Sequence, residues 1–144
     1  MTEEPVELVT RFCAAWADRD IDTLVGYFTD DAVYDNIPIG PVTGRDDIRA
    51  AIEGFMTGVE HVEFQVNHIA ADGPVVLTER VDVFALAGVT VKLPVMGIFE
   101  VAGGRIAAWR DYFDLNQFMS QLPAAPDTSV APGTDGDTCD GPGG

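Results

Sequence analysis

Apolar positions in the first third of the chain recur at helical spacing. Val6, Val9, Phe12, Cys13 and Trp16 follow an acidic first turn and predict an amphipathic helix over residues 3 to 18. A shorter helix follows, which Asp20 or Asp22 can cap, with Leu24, Val25 and Phe28 on its apolar side. Ala32 to Asn36 predicts a short strand ended by Pro38, and the segment from Gly44 to Met56 predicts a third helix with Ile48, Ile52, Phe55 and Met56 inward. The period then changes from helical to alternating. Val62, Phe64 and Val66, then Val75, Leu77, Val81 and Val83, then Val89, Val91 and Leu93 running on to Ile98 and Val101, and finally Ile106 to Phe113 after Gly103-Gly104, predict four strands in an antiparallel meander. Asp114 can cap a closing helix that carries Leu115, Phe118, Met119 and Leu122 on one side. Helices first and strands afterwards indicate an α+β fold: a cone-shaped curved sheet, mixed or antiparallel, with about four helices packed on its concave face and an open mouth.

Composition narrows what such a cone can hold. With 144 residues, 47% of them apolar, the chain is expected to form one domain with a real core, spanning residues 1 to 122. From Pro123 onward only proline, glycine, small and acidic residues remain, so 123 to 144 reads as a disordered acidic tail. Its four aspartates leave the body at −16 + 4 = −12, so the acidity belongs mainly to the folded part. That charge argues against nucleic acid and anionic membrane surfaces as partners. No basic leader precedes an apolar run and no segment is long enough to span a bilayer, which suggests a cytoplasmic protein. Cys13 on a predicted helix and Cys139 in the tail make a structural disulfide an unattractive reading. Two histidines, with neither CxxC nor HExxH, give no zinc motif, and a site made of carboxylates is the alternative.

Some polar residues do not suit a plain half-buried sheet. In the strand Leu77 to Phe84, alternation puts Thr78, Arg80, Asp82 and Phe84 on one side and Leu77, Glu79, Val81 and Val83 on the other. Alone, that fits a solvated face. The last strand changes the balance: Asp111 shares its side with Trp109 and Phe113, and a carboxylate among aromatics costs several kcal/mol unless a cation or strong donors meet it. Arg80 is the candidate partner, provided that its strand neighbours the one carrying Asp111. A structural ion pair would explain one Arg and one Asp, but not the second carboxylate of Asp82. A guanidinium between two carboxylates fixes both and couples their titration, which suits acid and base roles at one pH. Tyr34 and Asn36, two apart on the early strand, could hold a water beside a carboxylate, although Tyr-x-Asn before a turn is weak by itself.

Three segments, Tyr34 to Arg45, Thr78 to Val83 (TERVDV) and Gly104 to Leu115 (with WRDYFDL), make the chain resemble the limonene-1,2-epoxide hydrolases, within the ketosteroid-isomerase-like or nuclear-transport-factor-like superfamily. With the order of helices, the likeness spans roughly residues 5 to 122. It implies addition of water to a hydrophobic epoxide, giving a vicinal diol in one step without cofactor or covalent intermediate. Asp111 would be the general base, Tyr34 and Asn36 would hold the water, Asp82 would be the protonated general acid, and Arg80 would contact both carboxylates. The likeness also suggests Trp16, Phe84, Phe113 and Phe118 as a pocket wall, although each serves equally well as core. Asp35 should point away from the site, and Met96 and Met119 read as gap fillers. A homodimer is expected, because long strands leave sheet surface that helices do not cover. The competing readings are an isomerase or polyketide-type cyclase on the same fold, which needs no water-holding pair, and a non-catalytic binding module.

Overall fold

A computed structural model of the protein describes residues 4–123. Helix α1, Pro5–Ala15, runs into a short 3-10 turn, Trp16–Asp18, and is followed by α2, Ile21–Gly26. Strand β1, Phe28–Asn36, turns into β2, Gly40–Thr43, before α3, Arg45–Met56. Four long strands come next: β3, Val59–Asp72; β4, Val75–Leu86; β5, Val89–Ala102; and β6, Arg105–Tyr112. Helix α4, Leu115–Met119, closes the described chain. The sheet runs β2-β1-β6-β5-β4-β3, antiparallel throughout except where β1 lies parallel to β6. The fold is therefore α+β with a mixed, curved sheet, and the meander read from alternation is β3 to β6. Its last hairpin turns on Gly103 and Gly104, both at positive φ, the backbone that a two-residue turn matching strand twist requires.

Three elements differ from the expectation. Phe28 begins β1 rather than ending α2: it continues the apolar spacing of Leu24 and Val25, but the chain has already left the helix at Tyr27. Strand β2 was not foreseen, because four residues, Gly-Pro-Val-Thr, carry no period to read. Met119 is 55% exposed and Met96 is 48% exposed, so neither fills a gap in the core. Helix α4 instead rests Phe118 against the core from its rim, and Leu122 just beyond the helix does the same. Asp20 and Asp114 are the caps, accepting from the backbone N–H of Thr23 and Gln117 respectively.

The core fills the space between α1, α2, α3 and one face of the sheet. The Phe12 ring meets Trp109, Phe28, Trp16 and Phe99 edge to face, with centroids 5.1 to 6.1 Å away. Leu24, Ile48, Ile52, Val62 and Ile106 close around them. Pro94 sits within a long strand without breaking it: β6 pairs with β5 only from Met96 onward, so at Pro94 the strand has one neighbour and the missing N–H leaves no gap. Among the described residues no helix is long and apolar enough to cross a membrane. Cys13 is buried and free. Of the stretch 123 to 144, residues 124 to 144 lie outside the described part, and with them the expected disordered tail.

Candidate active site

The inner face of β4 buries Thr78, Arg80 and Asp82 in sequence, as alternation required, and β6 buries Trp109 and Asp111 on the same side. Arg80 is 1% exposed, and all five of its N–H groups are used. Its Nε donates to Asp82 Oδ1 at 2.9 Å and its Nη2 to Asp82 Oδ2 at 2.8 Å, a bidentate pair. Nη2 also reaches Asp111 Oδ2 at 2.8 Å, while Nη1 donates to Asp111 Oδ1 and Thr78 Oγ1, each at 3.2 Å. Trp109 Nε1 gives Asp111 Oδ1 a further bond of 2.7 Å. Above the guanidinium lies the Phe64 ring, 4.7 Å from Cζ. Both carboxylates thus have the partners that their burial demands.

The route to this pairing was not the one anticipated. Arg80 and Asp111 are not on neighbouring strands: β5 runs between β4 and β6, and the guanidinium crosses it at Gly97. In register, Gly97 stands between Thr78 on one side and Asp111 on the other.

The parallel β1·β6 pair supplies the remaining members. Tyr34 aligns with Trp109 and Asn36 with Asp111, so the two side chains expected to hold water come to the same carboxylate. Tyr34 stacks on Trp109 at 4.2 Å, nearly coplanar, and Ile37 N–H donates to the Asp111 carbonyl at 3.0 Å, locking the end of β1 to β6. Asp35 aligns with Arg110 on the opposite side of the sheet and does not reach the pocket.

Electrostatics separate the groups. Burial pushes the Asp82 carboxyl above the usual range and the Asp111 charge adds to this, while Arg80 pulls the other way. Burial and the Asp111 charge likewise raise the Tyr34 phenol well above its ordinary value, against a hydrogen bond with Asn36, so it stays neutral. The Cys13 thiol is pushed up to about 12, chiefly by burial, and remains a neutral packing group.

A cavity of about 210 Å³ opens onto this cluster. Tyr34, Asn36, Asp82 and Asp111 stand at its polar end, and Trp16, Phe84, Phe113 and Phe118, all read from the sequence, line it. Ile39, Ala51, Ile52, Phe55, Phe64 and Leu93 complete the wall and were not foreseen. Alternation showed only that Phe64 and Leu93 face inward; nothing local shows which inward residues border a void rather than another side chain. Trp16 stacks on Phe64 at 4.7 Å. The arrangement can hold an apolar molecule with one reacting centre against two carboxylates that share a cation.

The family model of the limonene-1,2-epoxide hydrolase catalytic domain matches residues 3–124. The chain belongs to that family. Its relatives include the epoxide hydrolase EphG of Mycobacterium tuberculosis, 37% identical over 114 residues that cover 79% of this chain and 76% of that protein. Among solved structures, an LEH-like epoxide hydrolase of M. tuberculosis is 35% identical, with a TM-score of 0.74, over 84% of this chain and 90% of its own. A SnoaL-like polyketide cyclase from Shewanella denitrificans superposes with a TM-score of 0.75 at 19% identity, over 81% of this chain and 95% of its own, and shares the fold alone.

Proposed function

We propose that this member of the limonene-1,2-epoxide hydrolase family converts hydrophobic epoxides to vicinal diols by direct attack of water, with Asp111 as base and Asp82 as acid. The observation that carries this reading is the Arg80 guanidinium gripping both carboxylates at the polar end of an otherwise apolar cavity. Water held by Tyr34, Asn36 and Asp111 gives a proton to Asp111 as its oxygen bonds to an epoxide carbon. The carbon–oxygen bond of the ring breaks, and the oxygen that leaves takes the proton of Asp82. Epoxide and water together make up the diol, and one proton returns from Asp111 to Asp82 to reset the site.

The distribution of charge favours these roles. One cation stands against two carboxyl groups, so the cluster is neutral when one of them carries a proton, and Asp82 has its affinity for that proton raised. Ring strain drives the reaction. A placed nucleophile and a proton for the alkoxide are what the protein adds, each contributing about 10²- to 10⁴-fold.

Single turnover with excess enzyme in ¹⁸O-water, over a panel of cyclic epoxides, tests the mechanism. Label in the diol after one turnover, with Asp111→Asn and Asp82→Asn both inactive, is the expected result. Diol oxygen drawn from the protein would mean a covalent ester and overturn it.

We further propose a homodimer joined through the outer face of the sheet. Leu77, Met96 and Tyr112 are exposed there, and register places Met96 beside Tyr112 and Leu77 beside Ile98. The free, buried Cys13 fits a reducing compartment, and on that ground we place the enzyme in the cytoplasm.

A further inference from the structure

Gly97 has no backbone reason to be glycine. It is absent from the positive-φ residues, which include the glycines of the turns, and it lies inside β5 with partners on both sides. Glycine within a paired strand costs backbone entropy and offers no side chain to pack. Space is what the position requires. A Cβ built there would lie 2.4 Å from Arg80 Nη1, 2.7 Å from Asp111 Oδ1 and 3.0 Å from Thr78 Oγ1. These atoms are tied by hydrogen bonds to one another, so none is a loose side-chain end that could swing away.

The topology explains the conflict. Strands β4 and β6 are two ladder spacings apart, roughly 10 Å, so Arg80 can meet Asp111 only by laying its guanidinium over the backbone of β5. Gly97 is where it crosses. Thr78, paired with Gly97, completes the seat: its hydroxyl accepts from Nη1 and faces the Gly97 carbonyl at 3.5 Å.

We propose that Gly97 and Thr78 are positioning residues for epoxide hydrolysis: the bare α-carbon and the adjacent hydroxyl hold Arg80 in the one pose that contacts Asp82 and Asp111 together. The inference rests on the hydrolytic reading above for its consequence in turnover, and on geometry alone for the pose. Neither residue lines the cavity, so substrate affinity is left to other side chains. Gly97→Ala would then displace the guanidinium by a fraction of its length, and a misplacement of that order costs about 100-fold in rate.

The test combines kinetics with the guanidinium's own resonances. Gly97→Ala should lower kcat about 100-fold with KM within about threefold. Thr78→Val should lower kcat about tenfold, and Thr78→Ser, which keeps the hydroxyl, should restore it to within about threefold of wild type. Placing Gly97→Ala in an Arg80→Lys background should cost less than about threefold more, because both substitutions act through one contact set. Losses that instead multiply would make Gly97 a packing residue only and overturn the proposal, as would unchanged kcat in a folded Gly97→Ala. Should Gly97→Ala not fold, the Thr78 pair decides: equal rates for Val and Ser overturn it. Independently of any substrate, ¹⁵N spectra of wild type should show Arg80 with slowed guanidinium rotation, measurably faster in Thr78→Val. If those spectra behave so while wild type opens no epoxide, the seat stands and the hydrolytic reading falls. Fast rotation in wild type overturns the seat itself.

Discussion

Arg80 has no donor to spare, Asp82 and Asp111 each taking two of its bonds and Thr78 one, and further neighbours steady the carboxylates. Trp109 is the least obvious of them, since its Nε1 points along the sheet to Asp111 Oδ1 at 2.7 Å, while its ring carries Tyr34 on one face. Trp109→Phe keeps most of the ring and removes that donor, so kcat should fall about tenfold or more, in line with the ~1.5 to 3 kcal/mol of a bond to a charged group. Steady-state kinetics beside a melting curve would check it; unchanged kcat would show that Arg80 alone orients the carboxylate. The pH dependence follows from Asp82. Burial and the Asp111 charge raise its affinity for the proton, and an acid works only while protonated, so kcat should fall as pH rises through that raised value. A profile from about pH 5 to about pH 10 that shows no alkaline decline would remove Asp82 from the role. The limb belongs to the Asp82–Asp111 pair rather than to one residue. At this scale the sequence was informative, because alternation alone put Thr78, Arg80 and Asp82 on one side, and Trp109 with Asp111 on another strand's inner side. It could not show that β5 intervenes. The role of Gly97 depends on that third strand, and a lone glycine in an alternating run carries no mark of what passes over it.

Elements with a sustained period were legible, and those defined by distant partners were not. Helices α1 and α3 and the β3 to β6 meander each span enough residues for spacing to speak. Strand β2 is too short, and the parallel alliance of β1 with β6 joins segments about 75 residues apart with no local trace. Yet that alliance is what carries Tyr34 and Asn36 to Asp111. Helix α4 is lightly anchored: it is five residues long, with none buried. Two devices hold it. Asp114 accepts from Gln117 N–H at 3.1 Å, and just beyond the helix the Gln121 side-chain amide pairs with the backbone of Lys92 on β5, giving 2.9 Å and taking 3.0 Å. Through them Phe118 is kept beside Phe84 and Phe113 at the cavity wall. Asp114→Ala with Gln121→Ala should speed amide exchange over 115–119 about fivefold or more and raise KM several-fold, while kcat moves little. A fall in kcat with KM fixed would mean that α4 bears on the reacting centre rather than on the wall.

The whole molecule has two faces of opposite use. One face of the sheet is packed under helices and holds the cavity; the other presents Met96 beside Tyr112 and Leu77 beside Ile98, with Pro94 next to Val81. On that face Arg110 pairs with Glu100 at 2.7 Å, and His68 Nδ1 lies 2.8 Å from Glu79 Oε1. The whole chain carries a net −16. Two copies meeting through the outer face would therefore bring an apolar patch together against the long-range repulsion of two acidic bodies. Apolar burial does not weaken with salt, whereas repulsion between separated surface charges is screened over about 8 Å at physiological ionic strength. Association should accordingly tighten as salt rises, the reverse of an interface held by opposite charges. Sedimentation at about 20 mM and about 500 mM salt should show the dimer fraction growing, and Met96→Glu should abolish it by placing a charge in the patch. Because Met96 faces away from Arg80 and the carboxylates, the monomeric variant should keep kcat within about twofold of wild type. A dimer that instead dissolves with salt would place the contact on the charged surfaces, and an active monomer at every salt concentration would leave the outer face without a partner copy.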